Sequence, residues 1–158
     1  MSRNRVERSI KRIACEISEA HTAGARLILF GIEDRGFAVA RTLTDHLVFF
    51  DEQAEAVQLP REHSDEVFKK LKVSKNEQFI AFIVDDVIFS GKTMFSALTA
   101  VERNLHPSEM HTVALVDRGH RKFPVKAEFY GMELPTKLNE YVSLKMKEDQ
   151  ITEVLLTK

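Results

Sequence analysis

A chain of 158 residues, 44% hydrophobic and 30% charged, is long enough to bury a sizeable core and too apolar to be disordered. Its formal net charge of −1 excludes a global pull toward nucleic acid or acidic membranes, so any such binding must come from a local patch. The single cysteine, Cys15, excludes an internal disulfide, no apolar run approaches a bilayer span, and Met1-Ser2-Arg3-Asn4-Arg5 lacks the apolar core of a secretion signal. The simplest expectation is one domain over residues 1–158, resident in the cytoplasm, with no membrane partner.

Val6, Ile10, Ile13, Ala14 and Ile17 share one helical face, which predicts an amphipathic helix over residues 4–21. Arg3, Arg5, Arg8, Lys11 and Arg12 decorate it, either as a solvated face or as a phosphate-contacting surface. Ala25 to Phe30 reads as a short buried strand, followed by the turn Gly31-Ile32-Glu33-Asp34-Arg35-Gly36. Phe37, Ala40, Leu43 and Leu47 then resume helical spacing. A strand–turn–helix unit of this kind offers unpaired helix N–H groups to an anion. The alternative is a turn whose Glu33 and Asp34 favour the helix start while Arg35 pairs with one of them. Val48 to Leu59 reads as a strand or hairpin, with Val57 and Leu59 alternating against Gln58. Pro60 to Gln78 is polar, with a short helical pattern at Val67, Phe68 and Leu71.

The chain is organised around Phe79 to Thr93. Six apolar residues, Phe79 to Val84, read as a strand buried on both faces, as in a parallel sheet. They run into the adjacent carboxylates Asp85 and Asp86, then through Val87, Ile88 and Phe89 to a turn of Ser90, Gly91, Lys92 and Thr93, and Met94, Ala97, Leu98, Val101 and Leu105 continue as a helix. Gly91 lets the backbone approach a phosphate, and the hydroxyls of Ser90 and Thr93 can donate to its oxygens. Asp85 and Asp86 would repel phosphate. They suit the neighbouring hydroxyls of a ribose, or a metal bound alongside it. A Walker A loop is excluded, because Asp86 stands where its first glycine is required. The bland alternative is a capped helix with both aspartates as solvated turn residues.

Met110 to Val116 predicts another buried strand, closing on the charged turn Asp117-Arg118-Gly119-His120-Arg121. Ala127 to Tyr130 and Tyr141 to Met146 are expected to complete the sheet, with Val142, Leu144 and Met146 alternating. An edge strand is expected through Val154 to Leu156. The histidines show no ligand spacing and no Cys/His cluster suggests zinc.

Val84-Asp85-Asp86-Val87-Ile88-Phe89-Ser90-Gly91-Lys92-Thr93 resembles the phosphoribosyl pyrophosphate motif of type I phosphoribosyltransferases. Ala114 to Val125, with Gly131 and Pro135-Thr136, narrows the resemblance to the bifunctional pyrimidine-operon attenuator and uracil phosphoribosyltransferase family. Arg12 to Ile17 and Gly31 to Gly36 extend it over most of the chain apart from residues 48–77 and the C-terminal tail. The resemblance implies a type I phosphoribosyltransferase-like α/β fold, a mainly parallel twisted sheet flanked by helices. It implies transfer from phosphoribosyl pyrophosphate to a pyrimidine base, uracil above all, with Mg²⁺ as cofactor held indirectly by Asp85 and Asp86. Asp85, Asp86 and Arg35 would be catalytic, Val87 to Thr93 would hold the 5-phosphate, and Glu33, Asp34, Arg35 and Gly36 would form the pyrophosphate loop. Asp117, Arg118, Gly119, His120 and Arg121 would lie near the base.

Two features depart from the family pattern. Glu33 and Asp34 stand where a basic residue and a small hydroxyl are usual. No Tyr-Arg-Asp-Asp hood run occurs between Leu47 and Gln78, so a reduced hood is expected, in which Arg61 and His63 could serve. Two further readings stay open. One is an RNA-binding regulator of pyrimidine genes with a nucleotide effector, its basic patch formed by Arg118, His120, Arg121, Lys122 and Lys126. The other is a phosphoribosyl pyrophosphate or nucleotide sensor without turnover. The resemblance also implies a homodimer or higher assembly.

Overall fold

The structure is a computed structural model that describes residues 1–21, 23–62, 65–74, 76–137 and 139–157, the Asp65 side chain aside. Its elements run α1 (Arg3–Ala20), β1 (Arg26–Ile32), α2 (Glu33–Phe49), β2 (Gln53–Leu59), α3 (Asp65–Lys70) and β3 (Phe79–Ile88). They continue as α4 (Lys92–Leu105), β4 (Glu109–Asp117), β5 (Phe129–Glu133), β6 (Tyr141–Lys147) and β7 (Gln150–Thr157).

Strands β1 to β5 form one parallel sheet in the order β2-β1-β3-β4-β5. The chain steps outward in one direction from β1 and in the other from β3, so the strand order reverses between these two neighbours. Open α/β sheets bind ligands at that reversal, outside the carboxyl ends of the strands. Period-two alternation divides the sheet's side chains between two cores. Leu27, Leu29, Ile80, Phe82, Val113 and Leu115 pack with α1 and α2 on one face. Ile28, Phe30, Ala81, Ile83 and Ala114 pack with Phe68 of α3 and Met94, Ala97 and Val101 of α4 on the other. The predicted stripe of α1 is the buried one, with Val6, Ile10, Ile13, Ala14 and Ile17 all at most 2% exposed.

Three expectations need correction. The bland alternative, with Asp85 and Asp86 as solvated turn residues, fails: β3 runs on to Ile88, because its pairing with β4 continues through Asp85↔Ala114 and Ile88↔Asp117. Val48 and Phe49 end α2 rather than opening a strand, and β2 begins only after a bend at Asp51, whose φ is 68°. Its partner is β1, in parallel, so it belongs to no hairpin.

The third correction concerns the C-terminal strands. β6 does not join the sheet but pairs antiparallel with β7 as a separate two-stranded hairpin. Glu148 and Asp149 turn it with φ of 50° and 60°, the left-handed pair that a two-residue hairpin loop requires. Leu144, Ile151 and Val154 bury its inner face in the core that α1 and α2 share. The Val154 N–H donates to the Met1 carbonyl at 3.1 Å, fixing the hairpin to the chain start. Among the described residues, no helix is long and apolar enough to cross a membrane.

Candidate active site

The carboxyl ends of β1 and β3 meet the first turns of α2 and α4. Close approach at β1 depends on two glycines. A Cβ on Gly31 would lie 2.3 Å from the Phe37 Cα, and one on Gly36 would lie 2.7 Å from the Val84 carbonyl oxygen. Only glycine therefore lets the start of α2 press against the end of β3. That contact delivers Arg35 to the aspartates, with its Nη1 3.9 Å from the Asp86 Oδ2. The expected pyrophosphate loop is thus the end of β1 and the first turn of a helix, with Glu33 in the left-handed region at φ 52°.

A cleft of about 480 Å³ opens here, lined by Glu33, Asp34, Arg35, Arg61, Asp85 and Asp86 among others. Four carboxylates face two guanidiniums in it. Asp34 accepts a hydrogen bond from the Gln58 side chain at 2.8 Å, and Arg61 pairs with Glu33. Burial, and then the charge of Asp86, push the Asp85 carboxyl well above the usual carboxylate range. Asp86 is also pushed up by burial, opposed by hydrogen bonds from Asp85 and the Val87 N–H and by the charge of Arg35. The two carboxyls titrate as one system, with Asp85 retaining the proton longer. A pair so placed gains when hydroxyl donors or a positive charge come to it.

The second part of the site shares Asp85, Val87 and Thr93 with the first. It is a recess of about 230 Å³ closed by Ser90, Gly91, Lys92 and Thr93. Gly91 caps α4 at φ 80°, a conformation that strains any side-chain-bearing residue. The first N–H groups of an α-helix have no partner within it, and Thr93 and Met94 of the first turn of α4 line the recess, at the helix end where an anion is favoured. The Ser90 Oγ accepts from the Lys92 N–H at 3.3 Å, and the Ser90 carbonyl accepts from Lys122 and Phe123 at 2.9 and 3.1 Å.

Asp117, Gly119 and Arg121 line a third cleft of about 290 Å³ at the ends of β4 and β5. The basic patch expected in this loop is largely dismantled. Arg118 is 7% exposed, donates to the Thr136 Oγ1 at 2.7 Å and to the Glu140 carbonyl, and lies 4.2 Å above the Phe89 ring. Arg121 is turned inward onto the Asp117 carboxylate at 2.6 Å and the Phe89 carbonyl at 2.8 Å. His120 meets the Thr136 carbonyl. Lys122 and Lys126 remain exposed. The reason is desolvation geometry: the strand ends and Phe89 leave a buried, acceptor-rich seam that only long donor side chains can satisfy.

The structure thus brings Asp85, Asp86, Arg35, Glu33, Asp34 and the Ser90 to Thr93 turn into one continuous site, with Asp117 to Arg121 beside it. It adds Gln58, and Met146 from β6, which lines the first cleft. Arg61 joins them because β2 is parallel and ends beside β1; His63, its expected companion, lies outside the described residues. Among the described residues, no group of three or more His, Cys, Asp or Glu side chains is placed to hold a metal ion unaided.

The model of the phosphoribosyl transferase domain matches residues 2–147. The bifunctional protein PyrR of Leuconostoc mesenteroides subsp. mesenteroides is 34% identical over an alignment of 158 residues, covering 90% of this chain and 87% of that one. That of Staphylococcus aureus strain JH9 is 32% identical over 167, covering 96% and 93%. Among solved structures, the hypoxanthine phosphoribosyltransferase of Trypanosoma cruzi superposes with a TM-score of 0.69 at 19% identity, over 90% of this chain and 82% of that one. A hypoxanthine-guanine phosphoribosyltransferase of Bacillus anthracis gives 0.67 at 19%, over 87% and 82%. At that identity the structural likeness establishes the fold, a parallel sheet flanked by helices.

Proposed function

The chain belongs to the phosphoribosyl transferase domain family, and from that premise we propose that it transfers the ribose 5-phosphate group of phosphoribosyl pyrophosphate to uracil. The products are uridine 5′-monophosphate and pyrophosphate. One observation carries the reading: a recess at the start of α4 and a half-buried carboxylate pair lie on one strand–turn–helix, with Arg35 reaching the pair from the first turn of α2.

The backbone of Ser90 to Thr93 would anchor the 5-phosphate and so fix the far end of the sugar, removing much of the entropic barrier. Asp85 and Asp86 would accept the hydrogen bonds of the two ribose hydroxyls. Bond cleavage at the sugar C1 runs ahead of bond formation to the base nitrogen, and positive charge builds on the ring. The aspartate charge stabilises it. Arg35 would neutralise the departing pyrophosphate.

Asp85 and Asp86 suit a divalent cation that arrives with the substrate, since their mutual repulsion is relieved by positive charge and water or substrate oxygens would complete its shell. Bound in this way, Mg²⁺ supplies further neutralisation of the leaving group. The cleft of Asp117, Gly119 and Arg121 would hold the base edge, and the reduced hood would leave Arg61 as the cation over the pyrophosphate side.

The test is acceptor-dependent release of pyrophosphate from phosphoribosyl pyrophosphate, with uracil, orotate and hypoxanthine compared at equal concentration. Uracil as the preferred acceptor supports the reading. Preference for hypoxanthine, or release that needs no acceptor, refutes it.

A further inference from the structure

We propose that Arg61 is a pyrophosphate-binding residue held in reserve by Glu33, whose carboxylate occupies the cation as an internal competitor until pyrophosphate displaces it. The inference rests on the phosphoribosyl pyrophosphate reading above and adds to it a built-in brake.

The Arg61 fork grips both oxygens of Glu33. Its Nη2 donates to Oε2 at 3.3 Å, and its Nε lies 3.3 Å from Oε1. Two parallel contacts of this kind are how guanidinium recognises either carboxylate or phosphate, so one anion can replace the other without a new geometry. Glu33 is the first residue of α2, at the helix end where an anion is favoured, and Arg61 comes from the end of β2 across the same cleft. The carboxylate therefore sits in the place a pyrophosphate oxygen would take.

The neighbouring groups show why Glu33 is the competitor. Asp34 is already engaged by Gln58 at 2.8 Å, and Asp86 is held more loosely by Arg35 at 3.9 Å. The Arg61 and Glu33 side chains are 74% and 47% exposed, so their pair is weak, screened by salt and easily exchanged. Pyrophosphate carries more charge on more oxygens than one carboxylate, and the exchange runs in its favour once it is present. The consequence is a site that keeps its guanidinium occupied when empty and that binds pyrophosphate more weakly than the same site lacking the carboxylate.

The experiment is a double-mutant cycle on the full chain, reading calorimetric affinity for inorganic pyrophosphate at fixed Mg²⁺ concentration, with ribose 5-phosphate as a parallel ligand. Arg61→Ala is expected to weaken pyrophosphate binding about tenfold, the scale of a hydrogen bond to a charged group. Glu33→Gln is expected to tighten it about threefold. In the Arg61→Ala background the Glu33→Gln gain falls below about twofold, because the carboxylate no longer has a cation to withhold. Ribose 5-phosphate affinity stays within about twofold in all four proteins, since that ligand has no pyrophosphate.

An equal gain from Glu33→Gln in both backgrounds overturns the proposal, because Glu33 would then act by simple repulsion. So does a loss of pyrophosphate affinity in Glu33→Gln. If the unsubstituted protein binds ribose 5-phosphate and the cycle is additive, the brake fails while the phosphoribosyl pyrophosphate reading stands. If it binds neither ligand, the phosphoribosyl pyrophosphate reading fails and takes the brake with it.

Discussion

Replacing Asp85 by Asn should make the protein more stable and less active, and the two effects should have one cause. The Asp85 Oδ1 accepts the Asp86 N–H at 2.9 Å, an interaction that an amide oxygen can keep. What Asn removes is a carboxyl that burial and the Asp86 charge push well above its usual range. The folded state therefore binds more protons than the unfolded chain between the unfolded value, near pH 4, and the raised folded value. Stability contributed by the protonated form is complete below that window and falls as pH rises through it, so above it the ionised pair opposes folding. Relieving a desolvated carboxyl beside a like charge falls on the scale of a single well-placed substitution, so Asp85→Asn should gain about 1–2 kcal/mol at pH 8, or roughly 3–6 °C in Tm for a chain of this size. At pH 4 the advantage should vanish. Thermal unfolding at pH 4, 6 and 8, beside turnover at pH 8, makes the test. A variant destabilised equally at all three values would refute the reasoning, as would a gain that persists at pH 4. Stability stored against function in this way is expected where a site must bind opposite charge.

Gly36→Ala places a methyl 2.7 Å from the Val84 carbonyl, and the resulting shift of α2 should lower stability by about 1–3 kcal/mol and raise the KM for phosphoribosyl pyrophosphate more than it lowers kcat. Gly91→Ala, at φ 80°, should lose about 1–2 kcal/mol in chemical denaturation, together with about tenfold in ribose 5-phosphate affinity. Arg118→Ala orphans Thr136 and the Glu140 carbonyl and removes a cation from the Phe89 ring, so a Tm loss equivalent to about 2–4 kcal/mol is expected. Lys122→Ala, on the exposed side of the same loop, should change Tm by less than the equivalent of about 0.5 kcal/mol, which separates the buried cation from the solvated one.

The parallel core was legible because its signals are local. Phe79 to Val84 is too continuously apolar for a half-solvated strand, and the stripe of α1 repeats at helical spacing over its whole length. How far β3 runs past Val84 is less legible, for a related reason. Charged residues read as the end of a strand, yet β4 continues alongside them and keeps the pairing to Ile88. Arg118 and Arg121 looked like a basic surface because sequence carries no information about the acceptors that await them, Thr136, Glu140, Phe89 and Asp117, up to 32 positions away. The alternation of β6 is legible in the sequence and its partner is not, since alternation fixes a buried face but not the neighbour that covers it. Arg61 is a candidate for the reduced hood on sequence alone, and what the sequence cannot supply is its place: β2 is parallel, with its carboxyl end beside that of β1.

The central claim is that one site joins a phosphate recess to a carboxylate pair that stabilises a ribosyl cation. The most direct measurement compares uridine 5′-monophosphate formation from uracil and phosphoribosyl pyrophosphate in the unsubstituted protein and in Asp86→Asn, with ribose 5-phosphate affinity measured in both. The account predicts turnover that falls at least about a hundredfold while ribose 5-phosphate still binds within about tenfold, because charge at the transition state is lost and the recess is kept. Turnover undiminished in Asp86→Asn would contradict it, and so would a protein that forms no product at all.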